Sequence, residues 1–434
     1  MRRGSGRLLG VLVVLAIGGT VVILLSAPTQ SPSTILIEVA ANPIALAVDG
    51  QRGRAIIVSN PNVVGAAGTA SVIDVRRKAL VRVTTVGVDP WRVVVDPRSG
   101  HTLIVNHGDG TRVTRGSVSG LDTNSGALLW TTSVGVWPAT IAVDAGRARA
   151  FVGNSGSGTV SVLDTRTGRV LRTIPVVTDA LMPVEIADDA RSGRVFVLLQ
   201  PNRPNRPDRL VALTARSGAV VWTAPLAPYS EGLTIDEARG HLVIEAPAVP
   251  GQREGLQVLD DRSGRLVHTI SVPSAKIVAV DAPTGKIIVC RPVVRGQEVI
   301  FLDARTAIPV GARSWPGRPV ACRMAVDART GQIAVLTADW RDLLAQRLQL
   351  VDGATGALIA QAAPAVSPDV TALAIDGEAG QAIVVNRRVL VSGWEQGWMQ
   401  WVRHWFPWLP GLPPQRRRPV TFGAHGSVSI IDLR

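Results

Sequence analysis

Aspartates that recur at a near-constant spacing are the most frequent chemistry-bearing residues of this chain. Each one ends an apolar run and precedes a turn and a second apolar run, at intervals of 45 to 49 residues. The eight positions are Asp49, Asp96, Asp144, Asp189, Asp236, Asp281, Asp327 and Asp376. A carboxylate could bind a cation or act as a general base, but an aspartate at the start of a turn also accepts backbone N–H groups two residues on. We therefore interpret the set as structural turns.

Histidine, serine and cysteine patterns give no signature of catalysis or metal binding. The six histidines lack the spacing of zinc ligands, and no G-x-S-x-G nucleophile motif occurs. The loop NHGDG at Asn106 offers oxygen donors for calcium, but its composition is more typical of a surface turn. We expect no catalytic residue, no bound metal and no cofactor.

Five tryptophans are concentrated in one segment, residues 389–426, which interrupts the aspartate spacing. They are Trp394, Trp398, Trp401, Trp405 and Trp408, and Arg416, Arg417 and Arg418 follow them. On a helix the first four would share an arc of roughly 60°. Such a stripe fits a lid packed on the rest of the protein, a helix at a membrane interface or a helix that docks a partner. We expect this insert to be the main membrane- or partner-binding surface.

Short apolar strands must position all of these residues. One pattern, LAVDGQRGRAIIVSN at Leu46, recurs once per repeat, and a second, SVIDVRRKALVRV at Ser71, recurs between its copies with Thr214 in place of aspartate in one of them. Each repeat therefore holds four strands rich in Val, Ile and Leu. A period of 40 to 50 residues with four strands is typical of a β-propeller. The sequence predicts an all-β, eight-bladed propeller over residues 35–434, with seven blades as the alternative.

The phase of the strands predicts how the ring closes. Ile35 to Ala40 has the pattern of an outermost strand, and Ser427 to Arg434 has the pattern of a third strand. The last blade thus lacks its own outermost strand, and the N-terminal segment supplies it, which removes an open edge. Cys290 and Cys322 would lie near the same face of adjacent blades, so a disulfide depends on whether their Cα atoms lie within about 7 Å.

These repeats resemble the YVTN-type β-propeller family. The resemblance lies in SVLDTRTGRVLRTIPV at Ser161, in IIVSN at Ile56, and in the strand-ending Asn60 and Asn154. The family implies the fold strongly and the chemistry weakly, because one fold hosts unrelated functions.

Two repeats resemble instead the quinoprotein-dehydrogenase-like propellers, which are commonly eight-bladed. They are LDTNSGALLW, ending at Trp130, and LTARSGAVVW, ending at Trp222. The redox enzymes of that superfamily place a vicinal cysteine pair over a quinone and a carboxylate-bound calcium beneath it. Here Cys290 and Cys322 lie a blade apart and no matching acidic set occurs, so the resemblance does not extend to the cofactor.

The N-terminal residues predict a membrane anchor. Arg2, Arg3 and Arg7 precede an uncharged run from Leu8 to Ser26, which as a helix would span roughly 28 Å, close to the thickness of a bilayer core. The positive charge predicts that residues 1–7 are cytoplasmic, that 8–26 cross the membrane, and that linker 27–34 leads to an extracytoplasmic propeller. A cleaved signal peptide is the rival interpretation, although no clean small-x-small site follows the run.

The chain has 46 Lys and Arg residues against 33 Asp and Glu residues, a net charge of +13. Only three of the basic residues are lysines, and no dense basic stretch occurs within the repeats, which argues against nucleic-acid binding. We expect a monomer that acts as a binding or scaffold module for protein or cell-envelope partners. The alternative is an exported enzyme, lactonase-like or quinoprotein-like, with its site at the central channel.

Overall fold

The computed structural model describes most of the repeat region and little of the N-terminal segment. It covers residues 13–17, 20–24 and 34–432, except for 62, 64, 112, 177–180, 202–206, 247–253, 275, 282–284, 294–295, 307, 317–322, 328–329, 339–345, 354, 356, 363–369 and 387–425. The tryptophan-rich insert, residues 389–426, lies outside the described residues except for Gly426.

The expected transmembrane helix is not shown where the N-terminal run is described. Strands β1 (Val13–Ile17) and β2 (Thr20–Leu24) pair antiparallel. Their β-branched residues suit extended backbone, and Gly18-Gly19 between them is a turn sequence. In the described part of the chain, no helix is both long and apolar enough to cross a membrane.

Eight four-stranded antiparallel sheets form the blades of a propeller. Blades 1 to 3 comprise β4 (Pro43–Asp49), β5 (Arg54–Ser59), β6 (Ala67–Asp74) and β7 (Ala79–Val88); β8 (Pro90–Asp96), β9 (His101–Asn106), β10 (Arg115–Asp122) and β11 (Leu128–Val136); and β12 (Pro138–Asp144), β13 (Arg149–Asn154), β14 (Thr159–Asp164) and β15 (Val170–Pro175). Blades 4 and 5 comprise β16 (Leu181–Asp189), β17 (Arg194–Pro201), β18 (Asp208–Thr214) and β19 (Val220–Leu226); and β20 (Glu231–Asp236), β21 (His241–Ala246), β22 (Gly255–Asp260) and β23 (Leu266–Ile270). Blades 6 and 7 comprise β24 (Lys276–Asp281), β25 (Lys286–Val293), β26 (Gly296–Asp303) and β27 (Pro309–Pro316); and β28 (Arg323–Asp327), β29 (Gln332–Ala338), β30 (Gln346–Asp352) and β31 (Leu358–Ala362). Blade 8 comprises β32 (Val370–Asp376), β33 (Gln381–Asn386), β34 (Gly426–Asp432) and the N-terminal β3 (Thr34–Val39).

The first strand of each blade lies innermost and contacts the first strands of both neighbouring blades. Contact between β32 and β4 completes the ring, so the prediction of eight blades is confirmed. All first strands begin on one face, where the second strands end; we call it the mouth face. The opposite face carries the turns within each strand pair, and we call it the turn face.

The N-terminal strand closes the ring as predicted. β3 pairs antiparallel with β34, with Ile37 opposite Val428. Ile37 and Val39 are buried in the core between blades 8 and 1, where they pack with Ile430. Burial of each such side chain stabilises the fold by about 1.5–3 kcal/mol. Lys78 of blade 1 also pairs with Asp432 of blade 8, with Nζ 2.6 Å from Oδ2.

Basic side chains on the turn face link successive blades. The first residue of a second strand reaches a backbone carbonyl in the next blade: Arg54 donates to Asn124 at 3.2 Å, Arg149 to Ala215 at 2.8 Å and Arg194 to Asp261 at 2.7 Å. Guanidinium groups suit this task because they present several donors in a fixed fork. These contacts give a structural role to part of the arginine excess.

Candidate functional site

The side chains of the repeated aspartates accept hydrogen bonds within the turns that they begin. Asp49 accepts the N–H of Arg52 at 3.1 Å, Asp144 accepts that of Arg147 at 3.0 Å, and Asp376 accepts that of Ala379 at 3.1 Å. Asp96, Asp189 and Asp236 accept turn N–H groups in the same way. The side chain of Asp281 is not described, and Asp327 accepts from the Thr330 hydroxyl. The turn that follows Asp96 ends at Gly100, whose φ of +73° favours glycine.

An aromatic and acidic group lies on the mouth face of blades 2 and 3. It consists of Trp91 near the start of β8, His107 directly after β9, Trp137 directly before β12, and Asp89 before β8; we call it the mouth aromatic group. The rings of His107 and Trp137 are stacked with centroids 5.9 Å apart, and Trp91 is tilted against His107 at 6.5 Å. His107 Nδ1 lies 3.4 Å from Asp89 Oδ2.

Asp89 organises this group. Its other carboxylate oxygen accepts a short hydrogen bond from the Asn60 amide, and its backbone carbonyl accepts the N–H of His107 at 2.8 Å. These bonds fix the loop that carries His107 against the start of the inner strand. Trp91 stays 50% exposed, the largest exposed side chain on the described part of this face.

Trp137 is held in an unfavourable backbone conformation. Its φ is +51°, and it precedes Pro138. The corresponding positions of blades 1 and 2 are Asn42 and Asp89, with φ of +52° and +51°. Asparagine and aspartate tolerate this left-handed region, whereas a bulky residue there is strained. Blade 5 also has a bulky residue at this position, Tyr229, with φ of +62°. Strain of this kind clusters at functional sites, so Trp137 marks this end of the blade as a candidate site.

A charged group lies across the same mouth on blades 4 to 6. Lys276 at the start of β24 pairs with Glu231 at 2.8 Å and with Glu245 at 2.9 Å. Burial acts to lower the pKa of the Lys276 ammonium, but the two carboxylates outweigh it and raise that pKa. Glu231 and Glu245 lie opposite each other on β20 and β21 of blade 5, and the ring brings Lys276 of β24 to them.

Glu185 joins this charged group from β16. Its carboxylate accepts the backbone N–H of Leu233 in the next blade at 2.8 Å. Burial raises the pKa of Glu185, while that N–H and the charge of Arg92 act to lower it. Arg92 directly follows Trp91, so its electrostatic interaction with Glu185 links the aromatic group to the charged group across the mouth.

The turn face contains buried acids of a different kind. Asp188 occupies a position that is Val or Ile in the seven other blades. Burial, followed by the negative charge of Asp144, raises the pKa of Asp188 to about 7. Next to it, Asp189 and Asp261 are both buried between blades 4 and 5. Asp188 and Asp189 end β16 on the turn face and Asp261 directly follows β22 there, so these acids form no part of the mouth.

The predicted membrane- or partner-binding residues all lie outside the described residues. They are Trp394, Trp398, Trp401, Trp405, Trp408, Arg416, Arg417 and Arg418. The NHGDG loop supplies His107, but its Asp109 accepts hydrogen bonds from Thr111 and Thr114. Within the described ranges, no group of three or more His, Cys, Asp or Glu residues is arranged to hold a metal ion. Cys290 is disulfide-bonded, and Cys322, the only other cysteine in the sequence, lies outside the described residues.

Sequence reasoning missed the mouth aromatic group. The available signal was the tryptophan in Pro90-Trp91 and in Trp137-Pro138 at the starts of two inner strands, where no other repeat has tryptophan. Trp130 and Trp222, which end the two repeats that resemble quinoprotein-type propellers, pack between blades instead. Trp222 donates its indole N–H to the Asp261 carbonyl at 3.1 Å, and Trp130 covers Gly168 so closely that a side chain there would clash.

Comparisons with solved structures show the fold. The computationally designed Ika8 protein is 16% identical, with a TM-score of 0.56 over 80% of this chain and 94% of that one. The dihydro-heme d1 dehydrogenase NirN, in complex with DHE, is 15% identical, with a TM-score of 0.57 over 84% of this chain and 77% of that one. BamB from Moraxella catarrhalis is 15% identical, with a TM-score of 0.51 over 92% of this chain and 98% of that one.

No curated protein matches the chain significantly. A family model does match, over residues 114–361, more than half of the chain. That stretch contains both repeats that resemble quinoprotein-type propellers, those ending at Trp130 and Trp222. The chain belongs to the family described as outer membrane protein assembly factor BamB.

Proposed function

We propose that this protein is a membrane-anchored, extracytoplasmic β-propeller that binds a protein partner through its mouth face. The observation that carries the proposal is the mouth aromatic group, where an exposed Trp91 and a strained Trp137 flank His107 and Asp89. Tryptophan is enriched at the energetic centres of protein interfaces. The family description supports the proposal because it names an assembly factor.

Two features support a location outside the cytoplasm. Disulfides persist in oxidising compartments and are rare in the cytosol, and Cys290 is disulfide-bonded. The uncharged run Leu8–Ser26 after three arginines fits either an anchor or a signal sequence. The anchor is the form that we propose, with the tryptophan-rich insert 389–426 as a second contact for the membrane or the partner.

A test combines fractionation with co-purification. The tagged full-length chain should stay in the membrane pellet after a high-salt wash, and chemical crosslinking in cells should recover a protein partner with it. Trp91→Ala should reduce that recovery, whereas Arg166→Ala, an exposed residue on the turn face, should not. Soluble chain that begins near Ala27, or equal recovery with both variants, would contradict the corresponding half of the proposal.

An enzymatic role remains the second candidate because of Glu185. A carboxyl group whose pKa is raised by burial has the property that general acid–base catalysis uses. If the wild-type chain shows a hydrolytic activity, its loss in Glu185→Gln with the fold intact would favour that candidate over the binding module.

A further inference from the structure

The mouth aromatic group has a composition that selects a particular chemical partner. Rings from two blades stand beside a carboxylate that is partly open to solvent: the side chain of Asp89 is 36% exposed and that of His107 is 28% exposed. We propose that this group is a docking site for an arginine side chain presented by a protein partner. The inference rests on the proposed function and specifies the chemistry of its binding site.

The open flat surface comes from Trp91, while Trp137 stacks on His107 within the same group. A guanidinium is planar and stacks on aromatic faces, and tryptophan gives the strongest attraction between a cation and a ring. Trp91 offers the more open ring, with half of its surface exposed. The left-handed backbone at Trp137 places an indole where the two preceding blades place only short polar side chains.

Asp89 supplies the charge that an arginine requires. One of its oxygens accepts from the Asn60 amide and the other faces His107. A carboxylate has about four acceptor positions, so these two contacts leave capacity for further donors. Arginine is favoured over lysine because its forked donors match a carboxylate while its plane covers a ring.

Charged side chains of both signs lie on the mouth face and include Asp89, Glu185, Glu231 and Glu245 as well as Arg92, Arg115 and Lys276. Lys276 is already engaged by Glu231 and Glu245, and the charge of Arg92 acts on Glu185. Asp89 is therefore the negative charge within the aromatic group itself that an incoming cation would meet.

Three substitutions separate charge, ring and fold. Asp89→Asn keeps the shape and the tolerance of positive φ that Asn42 shows, but removes the charge. Trp91→Ala removes the exposed ring. Trp137→Asn relieves the backbone strain, so it should keep or raise the melting temperature while it weakens binding. Trp130→Phe, on an outer strand, is the control.

The experiment uses the full-length chain in detergent and three N-acetylated tripeptide amides, Gly-Arg-Gly, Gly-Lys-Gly and Gly-Gln-Gly, with binding followed by intrinsic tryptophan fluorescence and NMR. The arginine peptide should bind more tightly than the lysine peptide, and the glutamine peptide should bind least. Each of the three site variants should weaken arginine binding about tenfold or more, and Trp130→Phe should not. Equal binding of all three peptides, or arginine binding that survives Asp89→Asn and Trp91→Ala, would overturn the inference.

Failure of this inference is distinguishable from failure of the proposed function. If Asp89→Asn leaves recovery of the protein partner intact while Trp91→Ala reduces it, the mouth binds a partner but not through an arginine. If no partner is recovered with the wild-type chain, the binding-module proposal itself fails.

Discussion

Asp189 and Asp261 meet across the seam between blades 4 and 5 with both carboxyl groups buried. One oxygen of each, Asp189 Oδ2 and Asp261 Oδ1, accepts no hydrogen bond from any residue that the structure describes. Burial is the main cause that raises the pKa of Asp261, and the charge of Asp189 adds to the effect while the charge of Arg194 opposes it. The two carboxyls are therefore best satisfied when they share a proton.

At the corresponding seam between blades 2 and 3, a hydroxyl group takes the place of the second carboxyl. Thr165, at the position of Asp261, donates its hydroxyl to Asp96 Oδ2 at 2.6 Å. We expect Asp261→Thr to stabilise the protein by about 1–2 kcal/mol at pH 8, because a neutral donor replaces a buried like charge. The melting temperature, measured by scanning fluorimetry, is the readout.

The pH dependence has a definite sign. A carboxyl whose pKa is raised by folding binds its proton more tightly in the folded state, so the stability of the wild-type chain falls as pH rises from the unfolded pKa through the folded one. The gain from Asp261→Thr should therefore shrink towards pH 5. Thr165→Asp is the matched control and should destabilise most at high pH. A gain that is the same at pH 5 and pH 8 would argue against the shared proton.

Asp188 yields a second prediction by comparison among the blades. The seven other blades have a β-branched apolar residue there, and the pKa of Asp188 is raised to about 7, mainly by burial. Asp188→Val should raise the melting temperature above pH 7 and have less effect near pH 5, where Asp188 is neutral. Asp188→Asn, which removes the charge without adding apolar contact, should give part of the gain. If Asp188→Val instead lowered stability at every pH, the carboxylate would have a role that its repeat position does not reveal.

The disulfide at Cys290 predicts a chain without free thiols. Cys322 is the only other cysteine in the sequence, so denatured, unreduced protein should not react with a maleimide and should migrate as a monomer on a non-reducing gel. Cys290→Ser should destabilise the fold by about 2–4 kcal/mol. Two reactive thiols per chain in freshly isolated, unreduced protein would contradict this assignment.

Ring closure is tested on a single strand. Ile37 in β3 is buried in the seam between blades 8 and 1, whereas Ile35 on the same strand is 40% exposed. Ile37→Ala should cost about 2–5 kcal/mol of stability because it leaves a cavity in that seam. Ile35→Ala should cost much less. Melting temperatures that fall equally in the two variants would show that the side of β3 that carries Ile37 is not the side buried in the seam.

The architecture was predictable from sequence because each blade repeats one apolar strand pattern. The last blade has no outermost strand after β34, and β3 has the pattern of that strand. The run at residues 8–26 was different. Its hydropathy and length suited a helix, but Val13–Ile17 and Thr20–Leu24 are rich in β-branched residues around Gly18-Gly19, and local pattern alone did not decide between the two forms.

The candidate site was not predictable in the same way. Asp89 and His107 meet through a loop, and Trp137 joins them only because blade 3 packs beside blade 2. Such contacts depend on the curvature of the ring rather than on spacing in the chain. The sequence did contain departures from the repeat. One is the tryptophan at 137, where the backbone has a positive φ, and another is the aspartate at 188, where the other blades have Val or Ile.

The most direct test of the account is the position at which a partner contacts the propeller. A photo-crosslinking amino acid would be placed in the full-length chain in cells, at Trp91 on the mouth face and, separately, at Arg166 on the turn face. We predict a discrete crosslinked protein adduct from position 91 and none from position 166. Adducts from position 166 alone, or from neither position, would contradict a binding module that works through its mouth.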